Sequence, residues 1–214
     1  MRRAMYRTGV LDLPSMRPIL APYVTAWSEE KSPPSVLVSR AGGIGYADES
    51  AYDRDENGVL WRRISLRQGV GRPNFAEVHP LRQRRAMRRL LCQVCGGPAD
   101  QSDDGVLWLL QDHRGDWADW PNRMGVTEPP VCVPCVRLSV RQCPALRRRA
   151  VVIRVGRCPV AGVGGMLYRP GFPPVSIGPE SVELDDLAVR WIVAAHLIRR
   201  LGESRIVPLE TVVS

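Results

Sequence analysis

The chain has 214 residues, of which 44% are hydrophobic. That is enough to bury a core in one medium domain or two small ones. Its formal charge is +8 and its pI about 9.7, and the basic side chains are 29 arginines and one lysine, Lys31. No apolar run reaches the roughly 18 residues of a spanning helix, and no apolar stretch of signal-peptide length follows the basic start Met1–Arg7. A membrane helix is therefore excluded, and the sequence points to a cytoplasmic protein.

The chain holds 19 glycines and 19 prolines, which predict long stretches of turn and loop. Residues 1–35 read as irregular, with a short helix over Leu20–Glu29. Val36–Ser39 is a predicted strand. An acidic loop runs from Asp48 to Glu56, the Asn57-Gly58 turn follows, and Val59–Leu66 is the next strand. Residues 67–78 read as loop. Pro80 then opens a helix over Leu81–Leu91, which carries Arg82, Arg84, Arg85, Arg88 and Arg89 above a thin apolar stripe of Leu81, Met87, Leu90 and Leu91. His79, just before it, reads as structural.

Gly105–Gln111 (GVLWLLQ) reads as a buried strand and Asp116–Pro130 as a loop. Pro134 opens a second helix reaching about Arg148, with Pro144 as a kink or end. Ala150–Val155 is strand-like, Gly162–Gly165 a turn, Met166–Tyr168 a short strand and 170–180 a linker. The last element is a predicted helix over Leu184–Leu201. Leu184, Leu187, Trp191, Ala194, Ile198 and Leu201 recur every three or four residues along it, and Gly202 closes it. This stripe packs on the rest of the chain or forms a homodimer seam. His196 lies off it and reads as structural. A final strand is expected over 205–213.

The expected class is α+β: a loop-rich, treble-clef-like zinc module with short strands and two to three helices. Residues 1–79 form an N-terminal irregular and β region, 80–160 the zinc module, and 161–214 a C-terminal turn, linker and amphipathic helix.

Four cysteines carry the chemistry. Cys92-x2-Cys95 and Cys132-x2-Cys135 are separated by 36 residues. A CxxC turn points two thiolates at one place, and two such turns complete a tetrahedron, so the pattern predicts one structural zinc ion. In a reducing compartment the pairs read as metal ligands and not as disulfides. Gly96-Gly97 lets the backbone turn after the first pair, and the second pair opens a helix. Knuckle, strand pair and ligand-bearing helix resemble the treble-clef superfamily over residues 92–148. Cys143 and Cys158 are left over and read as buried thiols.

Charge is segregated. Residues 57–99 carry nine arginines and one acid, Glu77; residues 100–128 carry seven acids and two arginines; residues 129–179 carry eight arginines and no acid. Arg82, Arg85, Arg89, Arg147 and Arg148 are the predicted phosphate contacts if this surface binds nucleic acid. An acidic protein partner and a merely solvated face fit the same pattern. No phosphate-binding glycine loop and no serine elbow is present.

Asp112-His113 at the end of the strand between the cysteine pairs, with Asn122, resembles the zinc-bearing HNH nucleases. That resemblance implies metal-dependent nuclease chemistry through Asp112 and His113. Val136-Arg137-Leu138-Ser139 stands where the family has a further ligand. The segments CQVCGGPAD, GVLWLL, TEPPVCVPC and RLSVRQCPALRR together resemble an uncharacterised actinobacterial family, which implies no particular activity.

Overall fold

The computed structural model describes residues 21–147 and 149–213. The chain begins with β1 (Thr25–Trp27), β2 (Leu37–Arg40), β3 (Gly43–Tyr46), β4 (Leu60–Trp61) and β5 (Pro73–Val78), followed by helix α1 (Pro80–Arg89). Next come β6 (Gln101–Ser102), β7 (Gly105–Gln111), β8 (Gly125–Val126) and helix α2 (Val133–Gln142). The C-terminal third is β9 (Ala150–Arg157), β10 (Val160–Arg169), β11 (Val175–Glu183), β12 (Ile192–Arg200), β13 (Gly202–Val207) and the short helix α3 (Leu209–Val213). The α+β expectation is borne out.

Two sheets dominate. In the first the order is β11-β10-β12-β4, with β8 also pairing to β12; in the second it is β13-β9-β7-β6. Strand β7 is buried on both sides and alternates between two cores. Val106, Trp108 and Leu110 pack with Val151, Ile153 and Val155 of β9, with Met87 of α1 and with Ile192, Ala194 and Leu197 of β12. Leu107 and Leu109 point the other way, to Val152, Val131, Val136, Cys92 and Cys135. A strand buried on both faces needs a continuous apolar run, which is what GVLWLL supplies. The larger core also takes Val59, Trp61, Val163 and Val182, so all three sequence segments contribute to it.

Helix α1 packs on β12 through polar groups. Gln83 Nε2 donates to the carbonyls of Thr127 and Leu197 at 2.7 and 2.8 Å, and its Oε1 accepts from Leu197 N at 2.9 Å. The buried residues of α1 are Pro80, Arg82, Gln83, Ala86 and Met87; of the expected stripe of Leu81, Met87, Leu90 and Leu91, Met87 is fully buried in the core and Leu90 packs against it, while Leu81 and Leu91 are only half-buried.

Several expectations are corrected. No helix spans Leu184–Leu201: residues 187–191 form a 3₁₀ turn and 192–200 are strand β12. Of the residues read as a stripe, Ala194 and Ile198 lie in β12 and Ala194 and Leu201 are buried in the core, while Leu187 is exposed, and Gly202 opens β13. The homodimer seam expected on that helix therefore has no helix to form on. Ala26 lies in β1 and not in a helix, and residues 73–78 of the expected loop are β5. The expected turn Gly162–Gly165 lies inside β10, because neighbouring strands approach too closely for a side chain: a Cβ on Gly165 would fall 2.2 Å from Val193 O. The expected linker holds the start of β11. The strand expected over 59–66 is regular only at Leu60–Trp61. Helix α2 stops at Gln142, with Cys143 extended at ψ 116° ahead of Pro144, as the residue before a proline requires. The expected strand over 205–213 ends at Val207 and gives way to α3. Among the described residues no helix is long and apolar enough to cross a membrane.

Candidate metal centre

Cys92 follows α1 directly. The helix ends with Leu90 in the left-handed region at φ 49°, which turns the chain into the first cysteine loop. Cys92 N donates to Gly97 O at 2.7 Å and Gly96 N to Cys92 O at 2.9 Å, closing the knuckle. Gly96 sits at φ +73°, and a Cβ there would meet the Tyr23 ring at 2.9 Å. Both facts demand glycine. Val94 N points at Cys92 Sγ at 3.4 Å. The knuckle is pinned from both sides, by Tyr23 N to Val94 O at 2.8 Å and by Gln93 N to Pro130 O at 2.9 Å.

The second pair is delivered by α2. Cys132 is its N-cap residue and Pro134 sits in its first turn, where a missing N–H costs nothing. Cys135 N and Val136 N both donate to Cys132 O, at 3.0 and 3.1 Å. Val131, fully buried, ties this segment to β7: its N–H donates to Leu107 O at 2.9 Å, and its carbonyl accepts from Asp100 N at 3.0 Å. Knuckle, β6–β7 hairpin and ligand-bearing helix follow in the treble-clef order expected.

The four sulfurs all lie within 4.8 Å of one another, and Cys95 Sγ is 3.8 Å from Cys132 Sγ. Four thiolates at about 2.3 Å from a tetrahedral metal ion have edges of about 3.8 Å, so the cluster has the dimensions of an S₄ metal site. Cys92 and Cys135 are buried, at 0% and 7% exposure, while Cys95 is exposed. Burial pushes the Cys132 and Cys135 thiols up. Burial also opposes ionisation of Cys95, but the Gly97 amide and the neighbouring cysteines outweigh it and hold that thiol below its ordinary value. A bound cation would offset the burial penalty at Cys132 and Cys135 by supplying the positive charge that thiolates need. With four protein ligands no coordination position is left for substrate.

Cys143 and Cys158 lie outside the cluster. Both are half-buried, and burial raises the Cys158 thiol even beside Arg199.

Asp112 and His113 directly follow the end of β7. The Asp112 carboxylate is held by Arg114 at 2.5 Å, and that hydrogen bond keeps it below the usual carboxylate range. His113 Nδ1 is 3.4 Å from Asp116. Asn122 is spent on structure, donating to Asp119 at 3.1 Å and accepting from Ser204 N at 2.9 Å. Among the described residues the four cysteines form the one group of three or more His, Cys, Asp or Glu able to share a metal ion.

The arginines of α1 divide by face. Arg82 is buried, its Nη1 and Nη2 meeting the Glu30 carboxylate at 2.6 and 2.7 Å, so it is a core ion pair and not a phosphate contact. Arg84 lies over the Trp61 ring at 4.3 Å. Arg88 pairs with Asp55 at 2.9 Å and Glu56 at 2.8 Å. The acidic loop before α1 thus pairs with Arg88 of this helix. Arg85 and Arg89 remain exposed, and Arg85 donates to Tyr23 Oη at 3.0 Å. Arg147 is exposed beyond the end of α2, a helix that carries the chain about 15 Å away from its cysteines. Arg148 lies outside the described residues. A metal ion at the four cysteines would join the end of α1 to the start of α2.

Sequence reasoning passed over Glu30 and Tyr23, which fix α1 and the knuckle from distant positions, and Gln83, which ties α1 to β12. No local signal marks them. Comparison with protein-family models, with curated proteins and with solved structures finds no match for this chain.

Proposed function

We propose that the four thiolates bind a single structural zinc ion, and that the zinc-stapled chain is a non-enzymatic adaptor that binds nucleic acid through its exposed arginines. The observation that supports the metal reading is the cluster of Cys92, Cys95, Cys132 and Cys135 with sulfurs within 4.8 Å of one another. Zinc fits because it takes thiolates tetrahedrally and has no redox chemistry to endanger them. The expected role is to fix the C-terminal end of α1 against the N-terminal end of α2.

The binding reading rests on charge. With Arg82, Arg84 and Arg88 turned to the protein, Arg85 and Arg89 present one solvent-facing row at i and i+4 on α1. Arg141, Arg147 and Arg149 are exposed at and beyond the end of α2. None of these five has an ion-pair partner among the described residues. Such arginines suit phosphate oxygens, which they hold bidentately.

Elemental analysis should find about one zinc per chain; a fully folded, metal-free protein overturns the first half. Binding of labelled DNA and RNA measured at about 50 and about 200 mM salt tests the second. Affinity should fall steeply with salt, and Arg85→Ala and Arg89→Ala should each reduce the slope by about 0.9. No binding at the lower salt rejects nucleic acid as the partner and leaves an acidic protein surface as the target to test.

A further inference from the structure

The first sheet has a second face. Val163, Val182, Ile192 and Leu197 turn to the main core, while Gly164, Met166, Tyr168, Ser181 and His196 line a cleft of about 850 Å³ on the opposite side. The β2–β3 hairpin closes one wall through Leu37 and Tyr46, and the segment around Ser32–Ser35 with Arg62 forms the rim. The volume lies in the range of small-molecule sites.

Three features of the backbone build its floor. Ser181, Gly164 and His196 are cross-strand neighbours on β11, β10 and β12, so they share one face. Gly164 leaves the middle of that row open: a Cβ there would lie 3.8 Å from Ser181 Oγ and 3.9 Å from His196 Cβ, with nothing nearer. Beside it β12 bulges. Gly165 faces Ala194 and Gly164 faces His196, which leaves Ala195 as the extra residue. A regular strand sends successive side chains to opposite faces; here Ala195 and His196 both line the cleft. Bulges re-aim side chains in this way.

The polar groups of the row are underused. His196 is half-buried and makes no hydrogen bond among the described residues. Its burial, and Arg62 nearby, push its pKa down against the opposing charge of Glu128, so the neutral ring offers one donor and one acceptor. Arg62 follows β4, the strand beside β12, and its N–H donates to Ala194 O at 2.8 Å. Its side chain meets Ser32 Oγ through Nε at 3.3 Å and has no carboxylate partner among the described residues. Neighbouring Arg63 is by contrast fully engaged, by Asp53 at 2.7 Å and Asp48 at 2.9 Å. The acid that lines the cleft on the far strand, Glu180 on β11, lies about 14 Å from the Arg62 side at three strand spacings. The cleft thus has an unsatisfied cation and a histidine at one end and mostly apolar walls of Leu37, Tyr46, Met166 and Val193.

We propose that this cleft binds a small organic carboxylate with an apolar or aromatic body, the carboxylate held by Arg62 and His196 and the body lying over Gly164. Nothing in this inference depends on the metal or on nucleic acid.

Benzoate is a suitable probe, and benzamidine is its cationic counterpart of the same shape. The chain has three histidines, so imidazole NMR signals of the full-length protein can be assigned with His196→Gln. Benzoate should move the His196 signals and leave those of exposed His113 in place. Arg62→Gln should weaken binding about tenfold or more, as loss of a charged hydrogen bond does, and Gly164→Leu should abolish it by filling the floor. Melting curves check the fold of each variant, and Arg62→Gln, an exposed change, decides the matter if Gly164→Leu does not fold. The proposal is overturned if benzoate leaves His196 unmoved, if His113 moves equally, if benzamidine binds as well as benzoate, or if Arg62→Gln binds unchanged.

Discussion

The sequence marks Arg82 as a phosphate contact, but its buried environment predicts a different result on mutation. The Glu30 carboxylate, with 0% of its side chain exposed, accepts from Arg82 Nη1 and Nη2 at 2.6 and 2.7 Å, from Trp27 N at 2.9 Å and from Arg67 N at 3.2 Å. Arg82 Nη2 also donates to Thr25 O at 2.7 Å. Arg82→Ala leaves that carboxylate buried with no cation against it. Breaking one side of a buried pair costs about 3–5 kcal/mol, a large share of a typical folding free energy. At about 2–4 °C per kcal/mol for a chain of this size, the melting temperature should drop by about 6–20 °C. Replacing both partners, Arg82→Met with Glu30→Leu, should recover at least half of the loss, because the strongest penalty is the unpaired charge. Differential scanning calorimetry measures each variant. A melting temperature for Arg82→Ala within about 2 °C of the parent, with a lower salt slope for nucleic-acid binding, would show that Arg82 faces solvent and refute the reasoning.

Three further outcomes follow from the same geometry. Cys92→Ser, or a strong chelator, should abolish metal retention and unfold the 92–142 region, because structural zinc contributes on the order of 10 kcal/mol; circular dichroism after chelation, with recovery on adding zinc, measures it. Gly96→Ala should cost about 1–2 kcal/mol from its positive φ alone, with more from the Tyr23 ring, and Tyr23→Ala should restore only the second part in a melting assay. Stability should fall on acidification in two stages. The folded-state pKa values of His79 and Glu30 both lie below their ordinary values. Burial does this for His79, and for Glu30 the Arg82 and Trp27 hydrogen bonds outweigh the opposing effect of burial. A depressed pKa stabilises above the unfolded value and is lost below it, so the His79 contribution should begin to fade below about pH 6.5 and that of Glu30 below about pH 4.3. Denaturant melts at a series of pH values test this, and a profile shallower than the parent's in His79→Gln between about pH 6.5 and 5 is the expected control, the remaining slope coming from His196, whose pKa burial also lowers.

The sequence by itself determined the metal centre. Two CxxC pairs are local chemistry: each turn aims its own thiolates, and Gly96 and Pro134 mark the knuckle and the helix start within a few residues. It also determined β7, α1 and α2, whose signals are a continuous apolar run between turns and a proline at the first helical position. Only the tertiary structure decided the rest. Ile192–Leu197 is apolar at almost every position, a pattern that suits either a buried helix or a central strand; β10 and β4 on its two edges make it a strand. Gly162 and Gly165 of β10 look like part of a turn in isolation and are required because the backbones of Val182 and Val193 approach so closely. The α1 arginines are identical in kind, yet Arg82 is core, Arg84 and Arg88 face the acidic loop, and Arg85 and Arg89 face water. Burial depends on what another part of the chain places opposite each residue. Glu30, 52 positions away from Arg82, is information that no window around residue 82 contains.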